Sequence, residues 1–525
     1  MTPTPPNPDP NAQAQPGTNN WLYGAIFTFV MGGLIALAAW LGVGTTPITP
    51  PTVPTPPPAV SPGVLSSKNL ALVGYMKCPT DGDATSRYNS TWCCGNGLMM
   101  RRAADGSKYL LMFGYVPAQW SGPMPSVTPT PVNNGNSLVE ISLAGFNADI
   151  TKAPRASLVN VYLRSSAFTD AVMPLSNPNV SGNITPGCPV FDGSSIFAPF
   201  AGFYNTTPAD YPCLALSQFQ SDGSLKSYGP YFTQAGAKQC RGYGLLAPSA
   251  FAQQSLGGNP LLFGAGLTAG NASSSWGPAL VSVQEPTTQT QPAQDAISAA
   301  TATSPKLASK QLAFYAYPDH KCARDQWTGW SVQHNTDGTA TTISTVGNTT
   351  WSPVDSPQTA VWIKTSAVEG VLFCGNAADT GANVWYGNTP INNATDAFAT
   401  TTNPPTTNFA DPVNQTRGYH STAYASRCWI YDPADLAAVA AGTKLPYAIT
   451  PAEVFNPATV LGLKQLNWDA ANRVQVAASV SQLFTFYGAV ADLDDPSTIY
   501  LNMGPAEATS PYGGVNVIAA VKVQP

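Results

Sequence analysis

Histidines and carboxylates are the groups of this 525-residue chain best suited to acid–base or metal chemistry. The three histidines, His320, His334 and His420, contain no pair at metal-ligand spacing, and no Gly-x-Ser-x-Gly motif marks a nucleophile. A Ser-His-Asp triad assembled across the sequence stays open, as does a carboxylate pair that hydrolyses a glycosidic bond. Since no residue can be named for either reaction, the sequence favours a protein without catalytic activity.

Two clusters of aspartates supply the oxygen ligands that Ca²⁺ prefers. Asp492, Asp494 and Asp495 form one cluster, and Asp81 and Asp83 flank a glycine in the other. Neither cluster completes a known calcium loop, and a solvated acidic turn is the alternative for each. Ca²⁺ at the first cluster is the one cofactor that the sequence suggests.

The tripeptide Arg-Gly-Tyr occurs twice, beginning at Arg241 and at Arg417. An apolar strand, a short helix begun by a proline and a glycine stop follow in both places, which suggests a repeated structural unit. If both tripeptides enter the innermost strands of a ring, Arg241, Tyr243, Arg417 and His420 line a common funnel. Guanidinium groups there suit a carboxylate or phosphate of a ligand, and structural salt bridges are the alternative role.

Aromatic side chains offer a second kind of binding surface. Trp327 and Trp330 lie near His320 and can stack on sugar faces if they are exposed. Burial in the core is the alternative. The sequence thus gives six candidate ligand-binding residues: Arg241, Tyr243, Trp327, Trp330, Arg417 and His420.

Short apolar runs separated by turn residues make up the chain from residue 69 onward, and they predict an all-β domain. The predicted strands are 70–76, 109–115, 138–143, 158–164, 261–264, 279–283, 360–363, 371–374, 474–480 and 515–523. Asp-Gly pairs, which favour hairpin turns, begin at Asp105, Asp222 and Asp337.

Two short helices interrupt this pattern. Asp432 is a predicted N-cap, with Pro433 as the first helical residue and Gly442 as the stop. Pro248 starts a similar helix that ends at the glycines 257 and 258.

Repeated four-stranded units predict a β-propeller of about six to eight blades, at roughly 45–65 residues per blade. The first and last strands can share a blade and close the ring. The segments 97–115, 138–143, 371–375 and 428–433 resemble uncharacterised secreted or membrane-anchored bacterial β-propeller proteins, a resemblance that implies no reaction. Two β-sandwich domains divided at 284–311 are the alternative, and 388–416 reads as a long surface loop.

The amino-terminal region has its own organisation. A polar, proline-rich tail over 1–20 precedes an uncharged segment, 21–43, that is long enough to cross a hydrocarbon layer of roughly 30 Å as a helix. A cleavable signal peptide is the alternative, but its apolar core is normally about 7–15 residues. Residues 44–67, with eight prolines, form a predicted stalk. The stalk leads to an extracytoplasmic domain over 68–525.

Cysteine placement supports this orientation, because all nine cysteines follow the predicted anchor, as in an oxidising compartment. We therefore expect disulfide bonds, of unknown connectivity; the adjacent Cys93 and Cys94 pair with each other or elsewhere. Small residues at 24, 28, 32 and 36 form a ridge that can pair two anchors, which allows a homo-oligomer.

Charge excludes one class of partner. With 23 Lys and Arg against 28 Asp and Glu, the chain has no excess of basic residues for nucleic acid. The sequence therefore predicts a single-pass membrane protein whose extracytoplasmic β domain binds a ligand, a glycan or a protein partner. An anchored hydrolase acting on carbohydrate and a structural envelope or virion component are the alternatives.

Overall fold

The computed structural model describes residues 62–79, 97–113, 138–162, 184–202, 212–236, 240, 242–264, 280–290, 305–313, 331–334, 340–344, 356–378, 384–386, 389–390, 419–421, 424–446, 449–465, 468–469, 474–475, 479–480, 485–510 and 513–525. The predicted anchor, 21–43, lies outside these residues. Within them, no helix is long and apolar enough to span a bilayer.

Most of the described residues lie in β-strands. The strands of the amino-terminal half are β1 Gly63–Val64, β2 Leu70–Lys77, β3 Met99–Arg102, β4 Lys108–Phe113, β5 Leu138–Ser142, β6 Leu158–Tyr162, β7 Ile184–Pro186, β8 Val190–Phe191, β9 Ser195–Gly202, β10 Leu214–Phe219, β11 Leu225–Thr233, β12 Tyr243–Leu246, β13 Leu261–Gly264, β14 Leu280–Val283, β15 Lys306–Leu307 and β16 Ser309–Ala313.

The carboxyl-terminal half continues in the same way. Its strands are β17 Ser331–His334, β18 Ala340–Ser344, β19 Ser356–Lys364, β20 Val368–Ala378, β21 Val384–Tyr386, β22 Thr389–Pro390, β23 Tyr419–Ser421, β24 Tyr424–Tyr431, β25 Glu453–Phe455, β26 Lys464–Gln465, β27 Trp468–Asp469, β28 Val474–Gln475, β29 Ser479–Val480, β30 Thr485–Ala491, β31 Thr498–Ser510 and β32 Gly513–Val523. Among the described residues there are three α-helices, α1 Ser249–Ser255, α2 Pro433–Ala440 and α3 Pro457–Val460. The same residues include two 3₁₀ turns, at Ser67–Asn69 and Ile150–Lys152.

In the described part of the chain the large sheets form a β-propeller of five blades. Blade I is β3-β4-β5-β6, and blade II is β9-β10-β11 with β7 and β8 as its inner edge. Blade III is β12-β13-β14-β16, blade IV is β19-β20-β24-β25, and blade V is β30-β31-β32-β2. The inner strands contact one another around the ring, in the order β3, β8, β12, β19, β30 and back to β3.

The first and last strands meet in blade V, as the sequence predicts. β2 pairs antiparallel with β32, from Leu70 opposite Val523 to Lys77 opposite Val517. This pairing closes the ring by joining the two ends of the domain. β1, from the end of the predicted stalk, pairs with β20, and Leu65 is buried.

In the part of the chain that the structure describes, five hydrophobic clusters fill the spaces between neighbouring blades. In β20, for example, Leu372 and Cys374 pack toward blade V, whereas Val371 and Phe373 pack toward blade III. Because each central sheet is buried on both faces, its strands read as continuous apolar runs. This packing explains why the strands could be found in the sequence.

The predicted number of six to eight blades is wrong, and the physical reason is the length of the connections. Blade IV extends from Ser356 to Phe455 because the connection from β20 to β24 is long and contains the small sheet β22-β21-β23. The predicted loop 388–416 falls in this connection, and only 389–390 of it are described. The alternative of two β-sandwich domains divided at 284–311 is wrong too. Part of this segment forms β15 and β16, which belong to the sheets of blades II and III.

Local predictions fare better. Nine of the ten predicted strands overlap a single strand of a sheet, and 474–480 instead splits into β28 and β29. The Asp-Gly pairs at Asp105 and Asp222 form the β3–β4 and β10–β11 hairpin turns, with φ of 87° at Gly106 and 80° at Gly223. The third pair, at Asp337, lies between the paired strands β17 and β18 but outside the described residues.

The two short helices form where the sequence places them. The Asp432 side chain accepts from the Ala434 backbone N–H, and Pro433 is the first residue of α2. Gly442 follows the helix with a φ of 74°. The predicted repeated unit fails in one respect, because α1 follows the first strand of blade III, whereas α2 follows the third strand of blade IV.

Candidate binding groove on the third blade

A groove of about 480 Å³ opens at one end of blade III. It lies where the chain passes from α1 into β13, where β14 ends and where β16 begins. Its lining residues are Leu256, Gly257, Gly258, Asn259, Pro260, Ser282, Gln284, Glu285, Ala308, Ser309 and Lys310. The lining combines amide, hydroxyl, carboxylate and ammonium groups, so it is chemically suited to a polar ligand.

The end of helix α1 forms one wall of the groove. The backbone N–H groups of Leu256 and Gly258 both donate to the carbonyl of Ala252, at 2.9 Å. Gly257 and Gly258 have φ of 64° and 90°, a conformation that glycine adopts without strain. These hydrogen bonds turn the chain sharply into β13 and fix the wall.

Asn259 joins this wall to strand β14. Its side-chain amide donates to the Val283 carbonyl at 2.5 Å and to the Ser282 hydroxyl at 3.1 Å. Its carbonyl oxygen accepts from the Leu261 backbone N–H at 3.3 Å. Because the amide is held on both sides, the groove is preorganised, which lowers the entropy lost on binding a ligand.

Two charged side chains on the groove have no hydrogen bond or ion pair with other described residues. These are Glu285 and Lys310, and both are exposed. Partial loss of water and the nearby Asp192 carboxylate raise the pKa of Glu285. Asp192 itself is fixed, since one of its oxygens accepts from the Ser194 and Ser195 backbone N–H groups at 2.7 Å. Glu285 is therefore an available acceptor beside a second carboxylate.

Cys188 contacts residues of blades III, IV and V. Its thiol donates to the Tyr487 carbonyl at 2.6 Å and lies 3.3 Å from the Gln358 carbonyl, so it reaches blades V and IV. Its backbone exchanges hydrogen bonds of 2.8 Å with Gly242 and Gly244 before and in β12. Burial raises the pKa of this thiol to about 12. Sequence reasoning missed Cys188, since nothing local distinguishes it from the other cysteines.

A buried ion pair between blades I and II was also missed. Arg101 Nε lies 2.8 Å from Glu140, whose side chain is only 3% exposed. The Tyr162 hydroxyl donates to the other carboxylate oxygen at 3.4 Å, and the guanidinium lies 4.7 Å from the centre of the Phe219 ring. The signal available was Glu140 itself, the one charge within the apolar strand 138–143.

The predicted aspartate cluster is held by basic side chains. Lys108 Nζ lies 2.7 Å from both carboxylate oxygens of Asp492, and Asp494 pairs with Arg102. Lys522 Nζ lies 2.5 Å from Asp495. Within the described residues, no group of three or more His, Cys, Asp or Glu side chains is arranged to hold a metal ion. This arrangement gives the predicted calcium site no support.

The predicted ligand-binding residues lie in different places. Arg241, Arg417, Trp327 and Trp330 lie outside the described residues. Tyr243 begins β12 and is fully buried, with its ring 6.0 Å from that of Phe373.

His420 lies in β23 opposite Trp385, in the connection to the third strand of blade IV. The tripeptide that begins at Arg417 thus precedes β24, the third strand of blade IV. The tripeptide that begins at Arg241 instead leads into β12, the inner strand of blade III. Their common funnel stays a prediction.

Disulfide bonds are absent among the described cysteines. Cys78, Cys188, Cys213, Cys240, Cys374 and Cys428 are all buried, and none of them is in a disulfide bond. The predicted disulfides are therefore not present among these six cysteines.

Comparisons with known proteins identify no family. No family model matches the sequence, and no curated protein matches it. Among solved structures, a glycosyl hydrolase from Bacteroides ovatus is 11% identical, with a TM-score of 0.34, and the match covers 87% of this chain and 96% of that one.

Two further solved structures match at a similar distance. A luciferin-regenerating enzyme is 8% identical over 83% of this chain and 95% of its own, with a TM-score of 0.27. PhoX from Pseudomonas fluorescens, in complex with vanadate, is 10% identical over 88% of this chain and 97% of its own, with a TM-score of 0.34. At these TM-scores the similarities carry no assignment of activity to this chain.

Proposed function

We propose that this protein is a binding module in which the groove on blade III takes a hydroxyl-rich ligand such as a glycan segment. The observation that carries the proposal is the preorganised polar groove, with Glu285 and Lys310 available at its edge. Amide, hydroxyl and carboxylate side chains are the partners that sugar hydroxyls use. The rigid ring of sheets beneath the groove keeps these groups in place without a ligand.

A glycan array tests this proposal with the full-length protein and a Lys310→Ala variant. The matched control is Lys152→Ala, which removes an exposed lysine from blade I. Binding that Lys310→Ala weakens at least about tenfold, with Lys152→Ala unchanged, supports the groove; tenfold corresponds to about 1.4 kcal/mol. Equal binding by all three proteins, or no binding to any glycan, contradicts it.

A second candidate, an enzyme that hydrolyses carbohydrate, rests on the pair Glu285 and Asp192. The raised pKa of Glu285 suits a proton donor, and a neighbouring carboxylate suits the base or nucleophile of glycoside hydrolysis. Release of reducing ends from a bound glycan, lost in Glu285→Gln while binding persists, would favour this candidate. Binding without any release favours the binding module.

We also propose that residues 21–43 anchor the module in a membrane and that the propeller faces outward on its stalk. The length and apolar composition of this segment support the anchor, and the small-residue ridge supports pairing of anchors. Alkaline carbonate extraction of membranes tests the anchor. Retention in the pellet until detergent is added supports it, and complete release by carbonate contradicts it.

A structural role in an envelope or virion is the remaining alternative. It requires no ligand in the groove, so the glycan array separates it from the binding module.

A further inference from the structure

Two of the buried cysteines face each other across a sheet. Cys374 in β20 and Cys428 in β24 are direct partners in the antiparallel register of blade IV. Their Sγ atoms lie 3.2 Å apart. Both side chains are at most 1% exposed and belong to the cluster between blades IV and V.

The backbone at this position suits a disulfide. Directly opposed residues of antiparallel strands have Cα atoms about 4.5 or 5.5 Å apart, inside the roughly 4.4–6.8 Å that disulfides span. A covalent S–S bond is about 2.05 Å long, so the sulfur atoms need to approach by only about 1 Å. Side-chain rotation supplies such a movement, and the strands can stay in register.

A second pair of cysteines meets between blades II and III. Cys213 lies just before β10, and Cys240 lies in the crossing from β11 to β12. The Thr233 hydroxyl lies 3.6 Å from the sulfur of Cys213 and 3.5 Å from that of Cys240. The neighbouring Cys213 thiol, together with burial, also raises the pKa of Cys240. A disulfide bond here would link the segment between β11 and β12 to blade II.

Cys188 shows that burial alone does not bring thiols together. It is also buried, at 6% exposed, yet its sulfur faces the carbonyl oxygens of Tyr487 and Gln358. The sulfur contacts of the other four are therefore specific to their positions. Cys188 serves as the internal control for any test of pairing.

We propose that Cys374–Cys428 and Cys213–Cys240 are the sites of two disulfide bonds, formed while the chain folds. In each pair a thiolate attacks the disulfide of an oxidised thiol compound, which forms a mixed disulfide and releases one thiol. The second cysteine then attacks the mixed disulfide at the protein sulfur, which forms the protein disulfide and releases the second thiol. Two thiols lose two electrons and two protons, and the oxidant is reduced to two thiols. The supply of oxidant in the cell rests on the proposed extracytoplasmic location.

Burial of the four cysteines determines when the two disulfide bonds can form. The thiolate is the attacking species, and burial beside a second thiol raises the pKa of both Cys428 and Cys240. In the closed ring, neither pair can meet an oxidant in solution. Exchange therefore takes place before the blades close, or during local opening.

Refolding in a defined redox buffer tests the pairing. The full chain is unfolded and reduced, then refolded with a mixture of oxidised and reduced glutathione, and acid-quenched. It is then alkylated with N-ethylmaleimide in denaturant and mapped by mass spectrometry without reduction. We expect linked peptides for 374–428 and 213–240, and alkylated Cys188. Refolded protein in which these four cysteines are alkylated, or linked to other cysteines, overturns the proposal.

A variant separates the two bonds. Cys374→Ser combined with Cys428→Ser is expected to retain the 213–240 link, and Cys188→Ala is expected to retain both links. In the double variant, loss of the 213–240 link in protein that has refolded contradicts independent pairing. Because the oxidant is added in vitro, a failure here is distinct from a failure of the membrane anchor, which carbonate extraction reports.

Discussion

Lys108 and Asp492 join the first blade of the ring to the last. Lys108 Nζ lies 2.7 Å from both carboxylate oxygens of Asp492, whose side chain is only 4% exposed. The Tyr500 hydroxyl donates to the same carboxylate at 2.8 Å, and the backbone N–H of Asp494 donates at 2.8 Å. The carboxylate is thus fully hydrogen-bonded at the seam between blades V and I.

Lys108→Ala is expected to destabilise the protein by about 3 kcal/mol, because it leaves a buried carboxylate without its counter-ion. Urea unfolding followed by tryptophan fluorescence measures the change. The control is Lys152→Ala, which breaks an exposed pair with Asp149 and should cost less than about 1 kcal/mol. Equal effects of the two substitutions would show that the seam does not depend on this pair.

The same pair predicts how stability depends on pH. Burial raises the pKa of Asp492, but hydrogen bonds from Lys108, Asp494 and Tyr500 lower it by a larger amount. The pKa of Asp492 is therefore below its ordinary value of 3.8. A lowered folded pKa stabilises the protein above pH 3.8, and this contribution disappears as the pH falls through the folded value.

The contribution of Lys108 to stability has the opposite pH dependence, because it is lost at high pH. Its hydrogen bonds to Asp492 and Asp494 outweigh burial and raise its pKa above 10.5. Its contribution is therefore complete below pH 10.5 and is lost as the pH rises through the folded value. Urea midpoints measured across both ranges should show smaller losses in Asp492→Asn than in the natural protein.

The sequence predicted local structure well where local chemistry decides it. Asp432 and Pro433 start α2 because capping depends on neighbouring residues. The strands were recognisable because both faces of each sheet are buried. Blade number was not predictable from an assumed length per blade, since the long connection between β20 and β24 makes blade IV longer than that length. The contacts of Cys188 come from three other blades, and no local pattern encodes that convergence.

Gly488 lies where β30 meets the backbone of blade I. A Cβ atom at this position would lie 2.3 Å from the carbonyl carbon of Gly97 and 2.3 Å from the nitrogen of Leu98. Because the obstacle is backbone, Gly488→Ala should separate blades V and I and destabilise the protein by about 3 kcal/mol or more. Thermal unfolding followed by circular dichroism measures this.

Gly63→Ala is the matched control for that substitution. Its Cβ would lie 3.6 Å from the Ala367 carbonyl oxygen, which is an ordinary contact. We expect a change within about 0.5 kcal/mol. A Gly488→Ala protein as stable as Gly63→Ala would contradict the close approach of the two blades.

Glu140→Gln is expected to destabilise the protein by about 3 kcal/mol, since Arg101 loses its charged partner between blades I and II. The amide of glutamine has nearly the same volume as the carboxyl group. The loss of stability therefore measures the loss of charge and not a change in packing. Adding Arg101→Met to this variant should recover part of the loss, because the unpaired charge is then gone. A double variant less stable than Glu140→Gln would show that Arg101 acts through its contact with Phe219 instead.

Cys188 should resist alkylation in the folded protein. Its thiol is buried, donates to the Tyr487 carbonyl and has a pKa raised to about 12, so thiolate is scarce at neutral pH. Iodoacetamide at pH 8, followed by peptide mapping, is expected to label Cys188 at least about a hundredfold more slowly than in denaturant, because labelling requires opening of the ring. Gly488→Ala should raise this rate by loosening the contact between blades V and I. Rapid labelling of Cys188 in the native protein would mean that solvent reaches its thiol between the blades.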